Sequence, residues 1–399
     1  MKQIAILGFG VVGAGIPAIL EKNAESVTRA VGEPVRVKYI LDLREFPDSP
    51  YGDRVIHDIA PILADPEIEV VCEAMGGSHP ALEFSLRCLE AKKSVVTSNK
   101  EVVANYGDRL LAAAAANGVS YLFEASVGGG IPLIRPFMTS LACDRITEFC
   151  GIVNGTTNYI LTKMREEGRE FDDVLAEAQA LGYAERDPSA DIDGIDAKRK
   201  LAILTALATG ILPENDELAA LSLRGISVRD LEAASLCGGR LKLVARMRRV
   251  NEKIEAYVCP MIVPDAHPLA HVEGVYNAVS FTSPATGDIL YYGRGAGRYP
   301  TAGALVSDAA AILSGAAAHE AKPVFRREAG AILPFSEVRS DFYIRASGLL
   351  DPEEALSAVS ESVEVLSAKD GVCELVAKDC CLSALDAAAP GAVKIRILR

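Results

Sequence analysis

One six-residue turn near the N-terminus restricts the fold more than any other feature: Gly8-Phe9-Gly10-Val11-Val12-Gly13, set between an apolar run and an amphipathic stretch. The three glycines of such a turn serve a tight bend, a close backbone approach to pyrophosphate, and close packing of helix on strand. The helix that follows presents unpaired N–H groups and a positive dipole end to phosphate. The glycine spacing alone is weak evidence. A strand before it, a helix after it and the acidic Asp42 ending the second strand supply the context of a dinucleotide site. A carboxylate at Asp42 suits a ribose 2′-hydroxyl and hence NADH, and the acidic loop Glu45-Phe46-Pro47-Asp48 leans the same way. Arg44 could instead hold the 2′-phosphate of NADPH, so both dinucleotides stay open.

The chain of 399 residues is too long for one ordinary core, and two or three domains are expected. Residues 1–125 alternate short apolar runs with helical stretches, the pattern of a parallel α/β sheet of Rossmann type. Strands are predicted at 3–7, 35–41, 70–73, 94–97 and 120–123, and helices near 11–24, 80–91 and 101–116. Pro17 inside the first helix predicts a kink or a late start. From Ser126 the texture changes, with Gly128-Gly129-Gly130-Ile131-Pro132 as an irregular junction. A second, α+β domain then runs over 126–322. Its predicted strands are 146–153, 256–263, 276–282 and 288–292, and its predicted helices start near Thr156, Phe171, Gly194 and Ala302. After Lys322 and a connection bearing Pro323 and Pro334, a small βαβ-like tail occupies 341–399.

The formal charge of −13 argues against nucleic acid and anionic membrane as partners, since both would repel the chain. No apolar segment is long enough to span a membrane, and the opening MKQIAILGFG reads as a buried strand rather than a leader. Nine cysteines without CxxC pairs suit reduced thiols and a cytoplasmic protein, Cys380 and Cys381 included. His267 and His271 stand at i,i+4, but Pro268 between them and the lack of an acidic third ligand speak against a transition-metal site.

The second informative stretch carries Glu185, Asp187-Pro188, Asp191, Asp193, Asp196 and Lys200. Asp196 and Lys200 are i,i+4 on one helix and share a face. At about 100° per residue, Ala197, Ile203, Leu204 and Leu207 lie on that same side, while Lys198 points away. A lysine on an apolar face needs a counter-charge, which Asp196 can supply. Lys200 is then either a buried ion pair or snorkelling lysine, or a proton donor to a developing alkoxide in carbonyl reduction.

With these motifs together the chain resembles homoserine dehydrogenase from the N-terminus to about residue 320. The resemblance rests on Ala184-Glu185 through Lys200, with Asp187-Pro188, Asp191, Gly194 and Asp196 in the family's order. Thr97-Ser98-Asn99-Lys100, Glu124 to Gly128, Gly151 to Ile160, and Gly295-Ala296-Gly297 with Pro300-Thr301-Ala302 support it. It implies reversible reduction of aspartate 4-semialdehyde to homoserine with NADPH or NADH, in threonine, methionine and isoleucine synthesis. Carried over by position, Lys200 protonates the carbonyl oxygen, with Lys100 and Asp196 as its catalytic companions. Glu185, Asp191 and Asp196 hold the small-molecule substrate or orient the lysine. The resemblance places the dinucleotide on Gly8, Phe9, Gly10, Val11, Val12, Gly13, Asp42, Arg44, Thr97, Ser98, Lys100, Gly182 and Gly297. It implies a monovalent cation, Na+, at Glu124, Val127, Gly129 and Ile131, the last three through backbone carbonyls. A homodimer or homotetramer is implied too. Leu41 and Glu45 stand where the family commonly carries basic residues. The tail resembles a degenerate ACT-type regulatory domain in its position and in Phe342-Tyr343-Ile344-Arg345, with Leu349-Leu350-Asp351-Pro352-Glu353 in place of an Asp-x-Pro-Gly loop.

Overall fold

The computed structural model describes residues 1–349 and 351–399; Leu350, inside the loop that departs from the ACT pattern, lies outside the described residues. The first sheet contains β1 (Lys2–Leu7), β2 (Val35–Leu41), β3 (Val55–Ile56), β4 (Ile68–Glu73), β5 (Ser94–Thr97) and β6 (Tyr121–Leu122). All neighbours are parallel, in the order β3-β2-β1-β4-β5-β6. The chain direction across the sheet reverses between β1 and β4, and ligands of such sheets bind in the crevice beyond that point.

The glycine turn sits at this crevice. Gly8 has φ +87°, and a Cβ there would meet the Met75 side chain at 2.9 Å. The first helix does not start at Val11 as expected. Residues 11–14 continue the turn, with Ala14 N–H bonded to Gly10 O at 2.9 Å and Gly15 N–H to Val12 O at 2.8 Å. The helix then runs over Gly15–Lys22, and a second one over Ala24–Val31. Pro17 explains the late start: without an N–H it fits only the first turn, where no intrahelical bond is lost.

The second sheet has ten strands: β7 (Glu148–Ile152), β8 (Ala219–Ala220), β9 (Gly239–Val250), β10 (Lys253–Pro264), β11 (Tyr276–Ser283), β12 (Gly287–Arg294), β13 (Arg339–Ser347), β14 (Ser362–Lys369), β15 (Val372–Cys381) and β16 (Val393–Ile397). Their order is β12-β11-β7-β9-β10-β16-β13-β15-β14, with β8 beside β10. The tail is therefore continuous with the middle of the chain: β16 pairs with β10 through Met261 with Arg396 and Ile262 with Ile397. It is longer than a βαβ unit, a βαββαβ arrangement with helices Pro352–Leu356 and Leu382–Ala388.

β9 was not expected from the sequence, because Arg240, Lys242, Arg246, Arg248 and Arg249 hide its apolar alternation. Lys242 and Arg246 are nonetheless buried, paired with Glu273 and Glu148. The helix Arg298–Leu313 begins four residues before Ala302, with Pro300 in its first turn. It packs on the helix after the glycine turn: a Cβ at Gly15 would lie 2.8 Å from Ala302 Cβ, and Arg298 donates to Ala14 O at 3.0 Å. Among the described residues, no helix is long and apolar enough to cross a membrane.

Candidate active site

Gly8, Gly10, Asp42, Arg44 and Ala74–Gly76 line a cleft of about 420 Å³ at the crevice. A Cβ placed on Gly10 would meet no heavy atom within 4 Å, so this backbone is open to a bound group. Gly13 is the opposite case, since its Cβ would stand 1.9 Å from Gly8 O. The Asp42 carboxylate accepts the Phe9 N–H at 2.7 Å and two guanidinium N–H groups of Arg44 at 3.0 Å. Burial opposes its charge, but these donors hold the carboxyl down at about 2. Asp42 thus ties the glycine turn to Arg44, whose exposed guanidinium lies 5.0 Å from the centre of the Phe46 ring. Val11 is exposed and Val12 half-buried, so their backbone rather than their side chains shapes the turn.

The residues read as catalytic come together in one charged cluster. Asp196, 4% exposed, bridges two ammonium groups. Its Oδ2 is 2.6 Å from Lys200 Nζ and its Oδ1 is 2.6 Å from Lys100 Nζ. Lys200 is 7% exposed and also donates to Val153 O at 2.6 Å. Of the apolar face deduced for it, Ala197, Ile203 and Leu204 are buried and Leu207 is half-buried, and Lys198 turns away to Asn215 O. Burial pushes the Lys200 ammonium below the usual lysine range, the Asp196 carboxylate opposes this, and the Lys100 charge adds to the lowering. For Lys100 burial also acts against the charge, but Asp196 and then Asp191 lift it above its ordinary value. Burial would raise Asp196, yet Lys200 and Lys100 hold it far below the carboxylate range.

Asn154 organises the acidic side of the cluster. Its Nδ2 donates to Asp191 Oδ1 at 2.7 Å and to Asp196 Oδ2 at 2.9 Å, while its Oδ1 caps the helix Gly155–Glu167 through Thr157 N–H. Burial, and then the Asp196 charge, raise the Asp191 carboxyl. Asn154 falls within the Gly151 to Ile160 stretch, where the sequence alone assigns it no task. Its place between a strand end and a helix start was the available signal.

Thr97, Ser98 and Lys100 lie at the end of β5 and the start of the helix Lys100–Asn117, whose N-cap is Asn99. Their geometry depends on Glu73, which sequence reasoning missed. This fully buried carboxyl accepts the Thr97 hydroxyl at 2.5 Å and the Met75 N–H at 2.7 Å, and its backbone carbonyl accepts the Ser98 N–H. Asn99 Nδ2 closes the link with Gly77 O at 2.7 Å. The cofactor-cleft loop at 74–77 and the loop that launches Lys100 are therefore one unit, and burial pushes Glu73 up to about 7.

Other site residues stand apart. Glu185 and Gly182 are exposed in the 181–188 loop; the Glu185 carbonyl takes a hydrogen bond from Gln179, and among the described residues its carboxylate contacts no member of the cluster. Gly297 is the N-cap of the helix Arg298–Leu313. At the junction, both carboxylate oxygens of Glu124 are occupied, by the N–H groups of Leu133 and Ile134 and of Arg135. The carbonyls of Val127, Gly129 and Ile131 accept no hydrogen bond among the described residues, which leaves backbone oxygens rather than the Glu124 carboxylate for a hard cation. No group of three or more His, Cys, Asp or Glu side chains there or elsewhere among the described residues is placed to hold a metal ion. His267 accepts the Leu269 N–H, and His271 bonds to Asp265 O.

Residues 8–124 match the profile described as homoserine dehydrogenase, NAD binding domain, and residues 132–310 match that of homoserine dehydrogenase. A homoserine dehydrogenase from Neisseria gonorrhoeae is 40% identical over 366 residues, 88% of this chain and 82% of the relative. The chain belongs to the homoserine dehydrogenase family. A crystal structure of a homoserine dehydrogenase from Thiobacillus denitrificans superimposes with a TM-score of 0.90 at 35% identity, covering 100% of this chain and 98% of that one. A hyperthermophilic archaeal homoserine dehydrogenase in complex with NADPH gives 0.67 at 31% identity, over 78% of this chain and 98% of that one. This member of the family is accordingly an NAD(P)-dependent oxidoreductase. Both family profiles end before the tail.

Proposed function

We propose that this homoserine dehydrogenase reduces L-aspartate 4-semialdehyde reversibly to L-homoserine, with Lys200 as the proton donor. The observation that carries the reading is the Lys200–Asp196–Lys100 bridge. An ammonium has three N–H donors. Asp196 and Val153 O take two from Lys200, and the third is free for a substrate oxygen. Burial lowers the pKa of Lys200 and so makes it the better acid. Lys100, raised by the same carboxylate, keeps its charge and balances the site while the proton moves. Asp191, held by Asn154 beside this pair, is the carboxylate for the substrate's ammonium, and Glu185 reaches the same substrate from the 181–188 loop.

A bound dinucleotide supplies the hydride. The backbone of Gly8 to Gly13 would hold its pyrophosphate, Asp42 and Arg44 its ribose, and Thr97, Ser98 and Lys100 its nicotinamide end, with Gly182 and Gly297 as further binding positions. The open carbonyls of Val127, Gly129 and Ile131 suit Na+ beside Glu124. We assign the dinucleotide to residues 1–125, the substrate to 126–322 and an ACT-like unit to 341–399, in a cytoplasmic homodimer or homotetramer. The exposed edge strand β12, with Leu290 and Tyr292 outward, supports the assembly. The test is oxidation of NADPH and of NADH with aspartate 4-semialdehyde by the wild type and Lys200→Met. Activity confined to the wild type is expected, and turnover by the variant at the wild-type rate would remove the proton-donor role.

A further inference from the structure

Asp191 and Asp196 stand on either side of Gly194, whose φ of +71° turns the chain from the short helix Ser189–Ile192 into Ile195–Thr209. The backbone of this turn has anchors of its own. Leu223 N–H bonds to Ile192 O at 3.0 Å, and Ser222 Oγ and Arg224 Nε donate to Asp193 Oδ1 at 2.8 Å. What Asn154 adds is the direction of the two carboxylates. These differ in their partners: Asp196 has Lys200 and Lys100 at 2.6 Å, whereas Asp191, half-buried, has no cationic side chain within ion-pair distance among the described residues. The amide that reaches both is itself locked. Its Oδ1 accepts the N–H and the hydroxyl of Thr157, each at 2.9 Å, so both N–H groups of Nδ2 face the carboxylates; a reversed amide would set its oxygen against two anions. Asn154 is 5% exposed, and a Cβ on the adjacent Gly155 would stand 2.8 Å from Val275 O, which leaves the strand end little room to shift. Burial and the Asp196 charge push the Asp191 carboxyl up, and the Asn154 hydrogen bond works against them.

A half-buried carboxylate without a cation of its own is complementary to an ammonium brought from outside. We propose that Asn154 is a positioning residue for substrate choice: by aiming Asp191, it makes the enzyme select an aldehyde that bears an α-ammonium over the same aldehyde without one. The inference rests on Asp191 being the carboxylate for the substrate's ammonium. Removing the amide acts on KM more than on kcat. Asp196 keeps both of its ammonium partners without Asn154, whereas Asp191 is left facing the Asp196 charge with its donor gone.

The experiment compares aspartate 4-semialdehyde with 4-oxobutanoate, the same chain without the ammonium, for the full-length wild type, Asn154→Ser and Asp191→Asn. Serine keeps a good N-cap for the helix Gly155–Glu167 but is too short to bridge the carboxylates, so the melting temperature stays near that of the wild type. The ratio of kcat/KM for the two aldehydes is expected to fall about tenfold or more in both variants, with most of the Asn154→Ser loss in the KM of the aminated aldehyde. Asn154→Asp, which keeps the cap and the length but sets an acceptor where the donor stood, gives the same reading if the serine variant fails to fold. If the wild type does not reduce 4-oxobutanoate, the KM of the aminated aldehyde decides alone, and no rise in Asn154→Ser overturns the proposal. A ratio lost in Asp191→Asn but kept in Asn154→Ser removes the role of Asn154 and leaves that of Asp191. An equal loss for both aldehydes in Asn154→Ser also overturns it, since a merely structural residue would act that way. A ratio kept in Asp191→Asn sinks the reading of Asp191 and this inference with it.

Discussion

Replacing Lys200 by Met removes the ammonium but keeps an apolar stem on the helix face that carries the buried Ala197, Ile203 and Leu204. The charge arithmetic of the cluster makes this variant safe to interpret. Two ammonium groups face one buried carboxylate, so Lys200→Met leaves Asp196 paired with Lys100 at 2.6 Å and orphans no charge. The converse change, Asp196→Ala, leaves Lys200 buried against Val153 O alone, and breaking a buried pair in this way costs about 3–5 kcal/mol. Lys200→Met is therefore expected to fold, with a melting temperature near that of the wild type, and to lose general-acid catalysis worth ~10²–10⁴ in kcat. That is about 3–5 kcal/mol of barrier at about 1.4 kcal/mol per factor of ten. The assay is dinucleotide absorbance against pH, with dinucleotide Kd measured separately by fluorescence. In the reductive direction the ammonium must be protonated, so wild-type kcat falls as pH rises through the Lys200 pKa, and the variant loses that limb. The Lys100 charge contributes to lowering Lys200, so Lys100→Met moves the limb to higher pH. A kcat for Lys200→Met close to that of the wild type, or a limb that stays in place or moves down in Lys100→Met, would refute the assignment.

The glycine turn offers a paired test: Gly10→Ala, which meets nothing in the protein, should keep the melting temperature and raise the dinucleotide KM about tenfold or more, whereas Gly13→Ala, driven into Gly8 O, should lose both. Equal behaviour of the two would contradict the roles assigned to them. Arg44→Ala frees Asp42 and removes the exposed guanidinium, so kcat/KM for NADPH should fall more than that for NADH; a parallel fall would show that Arg44 only shapes the turn. Stability should decline between about pH 5 and pH 8. Burial raises Glu73 from 4.5 to about 7 and Asp308 from 3.8 to about 8, the latter with help from the Glu124 charge. Such groups keep in the folded state a proton that the unfolded chain has released, so their contribution is intact below the ordinary carboxylate range and lost as pH rises through the folded values. Thermal melts across that window check this, and Asp308→Asn should flatten the upper part of the decline.

What was legible in the sequence was local. The glycine turn and the Asp196–Lys200 pair one helical turn apart are set by neighbours in the chain, and spacing reveals them. The late start of the first helix could be anticipated because Pro17 acts on its own turn. The long-range pairings could not be read. Lys100 at a helix N-terminus is electrostatically misplaced by itself, and only the fold supplies Asp196 to stabilise it. Glu73 ends a strand whose preceding three residues are apolar and carried no spacing signal, since its partners come from its own loop and from β5.

β9 makes the same point about the fold. A run with Arg240, Lys242, Arg246, Arg248 and Arg249 has the texture of a solvated segment, yet Lys242 and Arg246 lie inside. Each is admitted by an acidic partner distant in sequence: Glu273 for Lys242 and Glu148 for Arg246. Desolvating such a charge is tolerable only with that partner in place, so a pattern built on hydropathy misassigns these strands whenever the compensating residue is remote. Arg396 in β16 extends the argument to its limit. It is as buried as Arg246 and stands among aromatic rings, but the chain provides no carboxylate for it among the described residues. Its stabilisation comes instead from the oxygens of Val338, Ser340 and Phe335 and from the faces of the Phe335 and Phe342 rings, partners that a hydropathy pattern reveals no better than a remote carboxylate.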